Sequence, residues 1–374
     1  MKKLLTNLRV VTPDTVLQNA SILWEDGIAR KLITGPLPPE LKNLPPLDGR
    51  GLLALPGLVD LHIHGSYGFG PETENPADLL ALSDALFKEG VTAFCPTLYA
   101  DPAEKMKKQL EKLAPVIGQE KGAKIIGLHL EGPFISPQKP GVMRPQDITA
   151  PDVEIFKQLY QAAQGKIAAV TLAPELKNIK PIADFCRAHA ILMQAGHTNA
   201  TYEQMQTAKT WGIKHLTHFG NAMSPFHHRA PGALGAALMD DDFSCEVIAD
   251  GVHVAPEVVR FLLRIKPAGQ VIFVTDALRP TGQQTPPFLA NNEEVFLQDH
   301  VWKRKTDNVL AGSALTMLEA VKNAVAWGVP LACAVRCATQ NPARLMGLKG
   351  ALEEGYSGPI LLVDEGLKLK QIIC

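Results

Sequence analysis

The middle of the chain alternates short apolar runs with amphipathic segments. The runs are rich in β-branched residues and predict strands, and most are followed by apolar positions at helical spacing. In the clearest helix, Asn75 precedes Pro76, a leucine stripe follows, and Gly90 lies just beyond the end. The predicted strands are 53–63, 91–98, 124–131, 167–173, 190–196, 213–218, 245–250 and 270–276. The predicted helices are 76–89, 102–117, 152–163, 178–189, 201–211, 256–265, 313–327 and 330–340.

This alternation predicts the fold class. Apolar strands separated by helices indicate a parallel sheet covered on both faces, and eight such units indicate a closed barrel. Both ends of the chain instead carry short strands with turns, including predicted strands at 347–350, 355–358 and 359–363. We therefore expect an α/β protein with a (β/α)₈ TIM-like barrel over residues 55–342. A small β-sandwich domain is expected to be built from both termini, residues 1–54 and 343–374.

Composition narrows the classes of partner. The 37 basic and 38 acidic residues nearly cancel, so neither nucleic acid nor a membrane surface is an expected partner. The six cysteines are scattered and form no C-x-x-C pair, which favours a reducing cytoplasm and argues against a cysteine-based zinc site. No apolar run approaches the roughly 20 residues of a membrane span.

Five of the eight predicted strands end in a side chain able to bind metal or transfer a proton. Because all strand ends of such a barrel lie on one face, ligands far apart in sequence would converge there. Imidazole and carboxylate groups are ligands of zinc and iron(II). The pattern therefore predicts a metallohydrolase. The side chains concerned are His62, His64, Glu131, His197, His218 and Asp276.

Each signal alone has a plainer interpretation. His62 and His64 face the same side of an extended strand, but two histidines can also simply pack in a half-buried strand. Asp276 ends an apolar run, where a carboxylate is costly unless paired or used, yet it could cap the following turn. His129 and His215 are expected to have packing or structural roles. Only the combination of five strand ends favours the metal site strongly.

The motifs around these residues resemble a known family. Residues 56–65, Pro-Gly-Leu-Val-Asp-Leu-His-Ile-His-Gly, are similar to the first-strand signature of the amidohydrolase superfamily. Within that superfamily, the later motifs resemble those of the deacetylases of N-acetylated amino-sugar 6-phosphates, in the same order and through nearly the whole chain. These motifs occupy residues 129–134, 196–200, 220–223, 249–253, 274–277 and 310–317.

The resemblance implies a reaction and a cofactor. One divalent ion would be held by Glu131, His197 and His218, and a second by His62 and His64, with Glu131 between them. One or two ions per subunit are expected, zinc before iron. Asp276 would act as general base and then general acid. The expected reaction is hydrolysis of N-acetylglucosamine 6-phosphate to glucosamine 6-phosphate and acetate, in the cytoplasm, by a homodimer or larger homo-oligomer.

The expected substrate is a small amino-sugar phosphate. Arg229 is the preferred phosphate ligand because a guanidinium fork matches phosphate oxygens, although it could instead pair with an acidic surface neighbour. Residues 311–313 are expected to open a helix whose free N–H groups suit polar ligand atoms. The other substrate-binding residues carried over from the family's motifs are Asn221, Ala222, His253, Leu310, Ala311, Gly312, Val142 and Met143.

One position departs from the family. Met143 stands where a histidine that contacts substrate is expected, and a thioether cannot donate a hydrogen bond. We expect that Arg144 or a residue of a neighbouring subunit supplies this contact, or that the substrate differs.

Three functions therefore stay open at this point. The first is the deacetylase. The second is an amidohydrolase of another N-acyl amino-sugar phosphate, such as the galactosamine epimer, or of a cyclic amide. The third is a metal-binding relative without catalysis, which would have no reason to keep Asp276 together with every ligand.

Overall fold

The computed structural model describes residues 2–374 and contains three sheets. In chain order the strands are β1 Lys2–Val11, β2 Val16–Glu25, β3 Ile28–Thr34, β4 Pro46–Asp48, β5 Leu53–Pro56, β6 Leu58–Ile63, β7 Val91–Leu98, β8 Lys124–Ile125, β9 Leu128–Glu131, β10 Ile167–Leu172, β11 Leu192–Ala195, β12 His215–Leu216, β13 Ser244–Ile248, β14 Val271–Val274, β15 Leu289–Ala290, β16 Glu293–Gln298, β17 Val301–Arg304, β18 Leu310–Ser313, β19 Ile360–Val363 and β20 Leu369–Ile373. The helices are α1 Pro76–Lys88, α2 Ala103–Leu113, α3 Val153–Ala162, α4 Ile179–Ala188, α5 Tyr202–Thr210, α6 Gly232–Met239, α7 Pro256–Ile265, α8 Met317–Ala326, α9 Leu331–Ala338 and α10 Gln340–Leu345.

The largest sheet is the predicted parallel barrel. Its strands β6, β7 and β9 to β14 lie side by side in chain order, and β8 pairs beside β7. Hydrogen bonds close the gap between the first and last strands: the Asp276 N–H donates to the His62 carbonyl at 2.8 Å, and the His64 N–H to the Ala277 carbonyl at 2.9 Å. The α/β class and the eight parallel strands are thus confirmed.

Strand boundaries differ from the prediction where the backbone leaves one sheet for another. The single strand predicted at 53–63 is divided at Gly57, so that β5 joins the terminal sheet and β6 begins the barrel. A Cβ atom at Gly57 would lie 2.1 Å from Thr92 Oγ1, and the Gly57 N–H donates to Tyr356 Oη at 2.9 Å. The close approach at this crossing therefore requires glycine.

Helix starts follow their capping residues. In α1 the Asn75 side chain accepts from the Ala77 N–H at 3.1 Å, as the sequence pattern predicted. The helix predicted at 313–327 begins only at Met317, where Thr316 and Glu319 form a capping box. The expectation that residues 311–313 open a helix is therefore wrong, because they lie in strand β18.

Both termini join one seven-stranded sheet of order β20-β19-β5-β1-β2-β3, with β4 beside β1. The strands predicted at 347–350 and 355–358 are wrong, since those residues form turns, and β20 was not predicted. The sandwich arrangement and the domain boundaries drawn at 54 and 342 stay predictions.

A four-stranded antiparallel sheet, β15 to β18, was also not predicted. It lies between the last barrel strand and α8, and the Trp302 indole N–H fixes it to Thr281 Oγ1 at 3.0 Å. Its last strand brings residues 310–312 to the mouth of the barrel. No helix within residues 2–374 is long and apolar enough to cross a bilayer.

Candidate metal centre

The ends of the barrel strands bring the six predicted side chains together. His62 and His64 lie at the end of β6 and Glu131 ends β9. His197, His218 and Asp276 each lie two residues beyond a strand, with φ of 45°, 25° and 49°, respectively. This left-handed backbone is unfavourable for residues other than glycine, and such strain is concentrated at functional sites.

One group of ligands forms around a single carboxylate oxygen. Glu131 Oε1 lies 3.0 Å from His197 Nε2 and 2.9 Å from His218 Nε2, and the two nitrogens are 3.2 Å apart. All three side chains are buried. The arrangement matches the ligand set that the resemblance implied for the first ion.

A second group lies next to the first. Asp276 Oδ1 lies 3.5 Å from His62 Nε2 and 3.4 Å from His64 Nε2. Glu131 approaches both histidines as well, with Oε1 3.6 Å from His62 Nε2 and Oε2 3.3 Å from His64 Nε2. Glu131 therefore lies between the two groups, and Asp276, expected only as an acid and base, is placed where it could also bind metal.

The histidines are oriented through their other ring nitrogens. His64 Nδ1 lies 3.1 Å from the Thr97 carbonyl, and His197 Nδ1 lies 3.0 Å from the Lys139 carbonyl. Each carbonyl accepts a hydrogen bond from the Nδ1–H group, so the Nε2 lone pair is left facing the centre.

These residues fit a divalent ion. Their donors are imidazole nitrogens and carboxylate oxygens, the groups that bind zinc and iron(II). Among the described residues 2–374, His62 Nε2 is a buried side-chain atom with no hydrogen-bond partner, although it points between Glu131 and Asp276. A cation held there would satisfy it.

Without a bound cation, the histidine rings and the carboxylates of the centre form ion pairs with one another. Burial lowers the pKa of His62, but the carboxylates of Asp276 and Glu131 outweigh it and raise that pKa to about 10. Burial raises the pKa of Glu131, yet the neighbouring His62 and His197 hold it well below its usual range. Metal binding must therefore displace protons from this cluster.

A cavity of about 380 Å³ opens above the two groups. This volume lies in the range of small-molecule sites. Eight of the predicted substrate-binding residues line it: Val142, Met143, Asn221, Ala222, His253, Leu310, Ala311 and Gly312.

Arg229 is placed elsewhere. It is exposed, it does not line the cavity, and its guanidinium Nη1 lies 2.9 Å from His228 Nε2. Its predicted role as the phosphate ligand therefore stays a prediction, with Arg229 outside the cavity of its own subunit.

His253 lies at the cavity wall and is paired with a carboxylate. Its Nδ1 lies 2.6 Å from Asp250 Oδ2. Burial lowers the pKa of His253, but the Asp250 carboxylate outweighs it and raises that pKa above its usual value. The imidazolium this favours suits an anionic ligand.

Met143 makes one wall of the cavity apolar at the position where a histidine was expected. Met143 is 3% exposed and belongs to an apolar cluster with Tyr99, Ile135 and Trp302. Arg144 does not replace the missing histidine in this subunit, since its guanidinium pairs with Asp147 at 2.5 Å and Asp101 at 3.3 Å.

Sequence reasoning missed four residues near the centre. Gln138 and Lys139 line the cavity, and Tyr99 also lines it and stacks on His64 with ring centroids 3.8 Å apart. Glu246 is buried beneath His62. A usable signal existed for Glu246, because it is the one charged residue in the run Ser244–Ile248.

Comparisons with known proteins agree with this geometry. Residues 53–373 match the family model described as "Amidohydrolase family". The chain is 31% identical to N-acetylglucosamine-6-phosphate deacetylase of Bacillus subtilis, covering 99% of this chain and 95% of that protein. It is also 31% identical to N-acetylgalactosamine-6-phosphate deacetylase of Escherichia coli O157:H7, covering 86% of each chain.

A solved structure extends the agreement to the fold. A mutant N-acetyl-D-glucosamine-6-phosphate deacetylase from Mycobacterium smegmatis, in complex with N-acetyl-D-glucosamine-6-phosphate, superimposes with a TM-score of 0.91 at 28% identity. The match covers 100% of this chain and 97% of that one. The chain belongs to the amidohydrolase family.

Proposed function

We propose that this protein hydrolyses the acetamide of N-acetylglucosamine 6-phosphate, giving acetate and glucosamine 6-phosphate, with the help of bound divalent metal. The observation that carries the proposal is the convergence of four histidines and two carboxylates at one end of the barrel, where all of them except His62 line one cavity. The deacetylases with which the chain aligns over most of its length support the choice of substrate.

The chain's own residues supply the proton transfers. A divalent ion, when bound, lowers the pKa of water toward neutrality and stabilises negative charge developing on the acyl oxygen. Asp276 accepts a proton from the attacking water and delivers it to the departing amine nitrogen. The hydrogen-bonded neighbours of His64 and His197 keep both rings oriented throughout.

Two ions per subunit, zinc before iron, are part of the proposal. Glu131, His197 and His218 form one set of donors, and His62, His64 and Asp276 form another. Glu131 offers separate oxygens towards both sets, as a bridging carboxylate does.

The phosphate would be bound by groups from two subunits. His253 and Lys139 line the cavity and provide positive charge in the same subunit. Arg229 lies on an exposed loop, three residues after Phe226, which is 52% exposed. Phe226 and Met239, which is 56% exposed, both approach Gly235. We propose that this apolar surface forms a homodimer interface and that Arg229 reaches the partner's cavity. A cytoplasmic location completes the proposal and agrees with six unpaired cysteines.

The galactosamine epimer is a second candidate substrate. The relative that acts on N-acetylgalactosamine 6-phosphate is as similar in identity as the Bacillus subtilis one. The apolar wall at Met143 also alters a position expected to contact substrate. Competition between the two epimers for the purified protein decides between them.

A metal-exchange experiment tests the proposed chemistry. Protein stripped with a chelator should release no acetate from N-acetylglucosamine 6-phosphate, and zinc should restore release. Asp276→Asn protein, with its metal content measured, should lose at least about 100-fold in kcat. Undiminished acetate release by the stripped protein, or by the Asp276→Asn protein, would contradict the mechanism.

A further inference from the structure

A buried carboxylate beneath the metal centre has no role in the mechanism above. Glu246 lies on β13, and its side chain is 0% exposed. Burying a negative charge is costly unless several donors surround it. The identity of those donors indicates what the residue does.

One oxygen of Glu246 contacts polar side chains of the neighbouring part of the barrel interior. Its Oε1 accepts from Gln194 Nε2 at 2.9 Å and lies 3.3 Å from His215 Nε2. These contacts tie β13 to its neighbour β12 and, one strand further along the sheet, to β11. They hold the carboxylate in one orientation.

The other oxygen faces the metal centre. Oε2 accepts from Thr217 Oγ1 at 2.8 Å and lies 3.3 Å from His62 Nδ1. Thr217 Oγ1 itself lies 2.9 Å from His62 Nδ1, so the hydroxyl both accepts from the ring and donates to the carboxylate. The backbone N–H of His218 also approaches Oε2, at 3.4 Å.

We propose that Glu246 is a positioning residue that makes the His62, His64 and Asp276 group able to hold an ion. The inference rests on the proposed two-ion centre. By accepting from Nδ1, the Glu246 and Thr217 pair keeps that nitrogen protonated and leaves His62 Nε2 as a bare donor. The negative charge also makes the imidazole a stronger ligand.

His62 differs from His64 and His197 in the group that faces its Nδ1 atom. The second nitrogens of His64 and His197 face the neutral carbonyls of Thr97 and Lys139, whereas that of His62 faces a carboxylate. Glu131 and Asp276 bring two negative charges against the four positive charges of two divalent ions. Glu246 adds a third negative charge beside these ions. Because the site is buried and poorly screened, this charge offsets part of the remaining positive charge.

Zinc titration of the metal-stripped protein tests this role. The wild type should bind two ions per chain. Glu246→Gln keeps the shape of the side chain but removes its charge, and it should weaken one of the two ions 10- to 100-fold while leaving the other unchanged. Two ions bound at wild-type affinity by Glu246→Gln would overturn the proposal, and so would a wild type that binds only one ion.

Two further variants separate positioning from general packing. His215→Gln alters a contact of Oε1 and not of Oε2, so it should keep both ions. Thr217→Val removes the hydroxyl but keeps the carboxylate, and should weaken the same ion less than Glu246→Gln does. A larger loss in Thr217→Val, or equal weakening of both ions in Glu246→Gln, would contradict the assignment. Because these readouts involve metal alone, they do not depend on which substrate is hydrolysed.

Discussion

At the scale of single residues, the centre depends on charge and on which ring nitrogen carries the proton. Four histidines surround two carboxylates in a buried volume, and the ring orientations that the structure assigns leave lone pairs facing inward. Protons and metal ions therefore compete for the same atoms. This competition has a consequence that a pH titration can measure.

Metal affinity should rise with pH. In the metal-free protein the pKa of His62 is raised from 6.5 to about 10. Its proton therefore stabilises the metal-free fold fully below about pH 6.5, and this stabilisation is lost as the pH rises towards 10. Zinc binding must expel that proton, so its apparent affinity should increase between these limits. Calorimetry in buffers of different ionisation enthalpy measures the protons released, and zero release at pH 7 would contradict the charged cluster.

The Met143 wall yields a second residue-scale prediction. Met143→His places a hydrogen-bond donor where the sequence resemblance leads us to expect one, at a position that is 3% exposed. If the methionine only impairs the site, turnover of N-acetylglucosamine 6-phosphate should rise severalfold. If the apolar wall fits a different substrate, this turnover should stay unchanged or fall, and steady-state kinetics on both epimers distinguishes the two outcomes.

At the scale of elements, strand and helix ends place the chemistry. The cap formed by Thr316 and Glu319 starts α8 immediately after β18, whose residues line the cavity. Without that cap, the helix start and the end of the cavity-lining strand would be less well defined.

Thr316→Ala should therefore destabilise the fold by about 1 kcal/mol. A matched control is Thr207→Ala on α5, where the hydroxyl bonds only to the Glu203 carbonyl one turn earlier. That control should be nearly neutral, since such back-bonding contributes little to helix stability. Thermal unfolding measures both, and equal melting temperatures for the two variants would contradict the importance of the cap.

The sequence predicted strands and helices best where the spacing of apolar residues and the helix-capping residues indicated the same element. The eight barrel strands and the helix capped by Asn75 follow from apolar runs and a cap visible in the sequence. Helix α6 was missed because its alanines, glycines and leucines show no polar face. The sheet β15 to β18 was missed because short hairpin strands between helices give a weak periodic signal.

The candidate site also combines features that the sequence reveals with features that only the fold reveals. The convergence of the candidate metal ligands could be predicted because strand ends of a barrel meet on one face, whatever their separation in sequence. Tyr99 could not, because its role depends on the His64 ring that stacks on it in the folded barrel. Glu246 left a signal as the one charged residue of its strand, but its contact with His62 appears only in the fold. Arg229 was placed in the cavity by residue type alone, and only the structure shows that it lies outside.

At the scale of the whole molecule, the cavity of one subunit lacks the predicted arginine. Arg229 and the exposed Phe226 lie on the same loop, and we propose that a second copy covers this surface and receives the arginine in its cavity. A shared site of this kind can be tested by mixing subunits.

Mixing two defective variants should restore activity. Arg229→Ala should raise KM for the phosphorylated sugar at least 10-fold, because a charged contact to phosphate is lost. Asp276→Asn should be inactive. A mixed dimer would contain one intact site, built from the barrel of the first variant and the arginine of the second. Activity of the mixture no greater than that of its components would contradict the shared site.

The central claim is that this cavity hydrolyses the acetamide of an amino-sugar phosphate. Its most direct test is free-amine release by metal-loaded protein from N-acetylglucosamine 6-phosphate, beside N-acetylglucosamine without phosphate. We predict release from the phosphorylated sugar and at least 100-fold lower kcat/KM, equivalent to about 2.7 kcal/mol, without phosphate. No release from either sugar by protein with confirmed bound metal would contradict it.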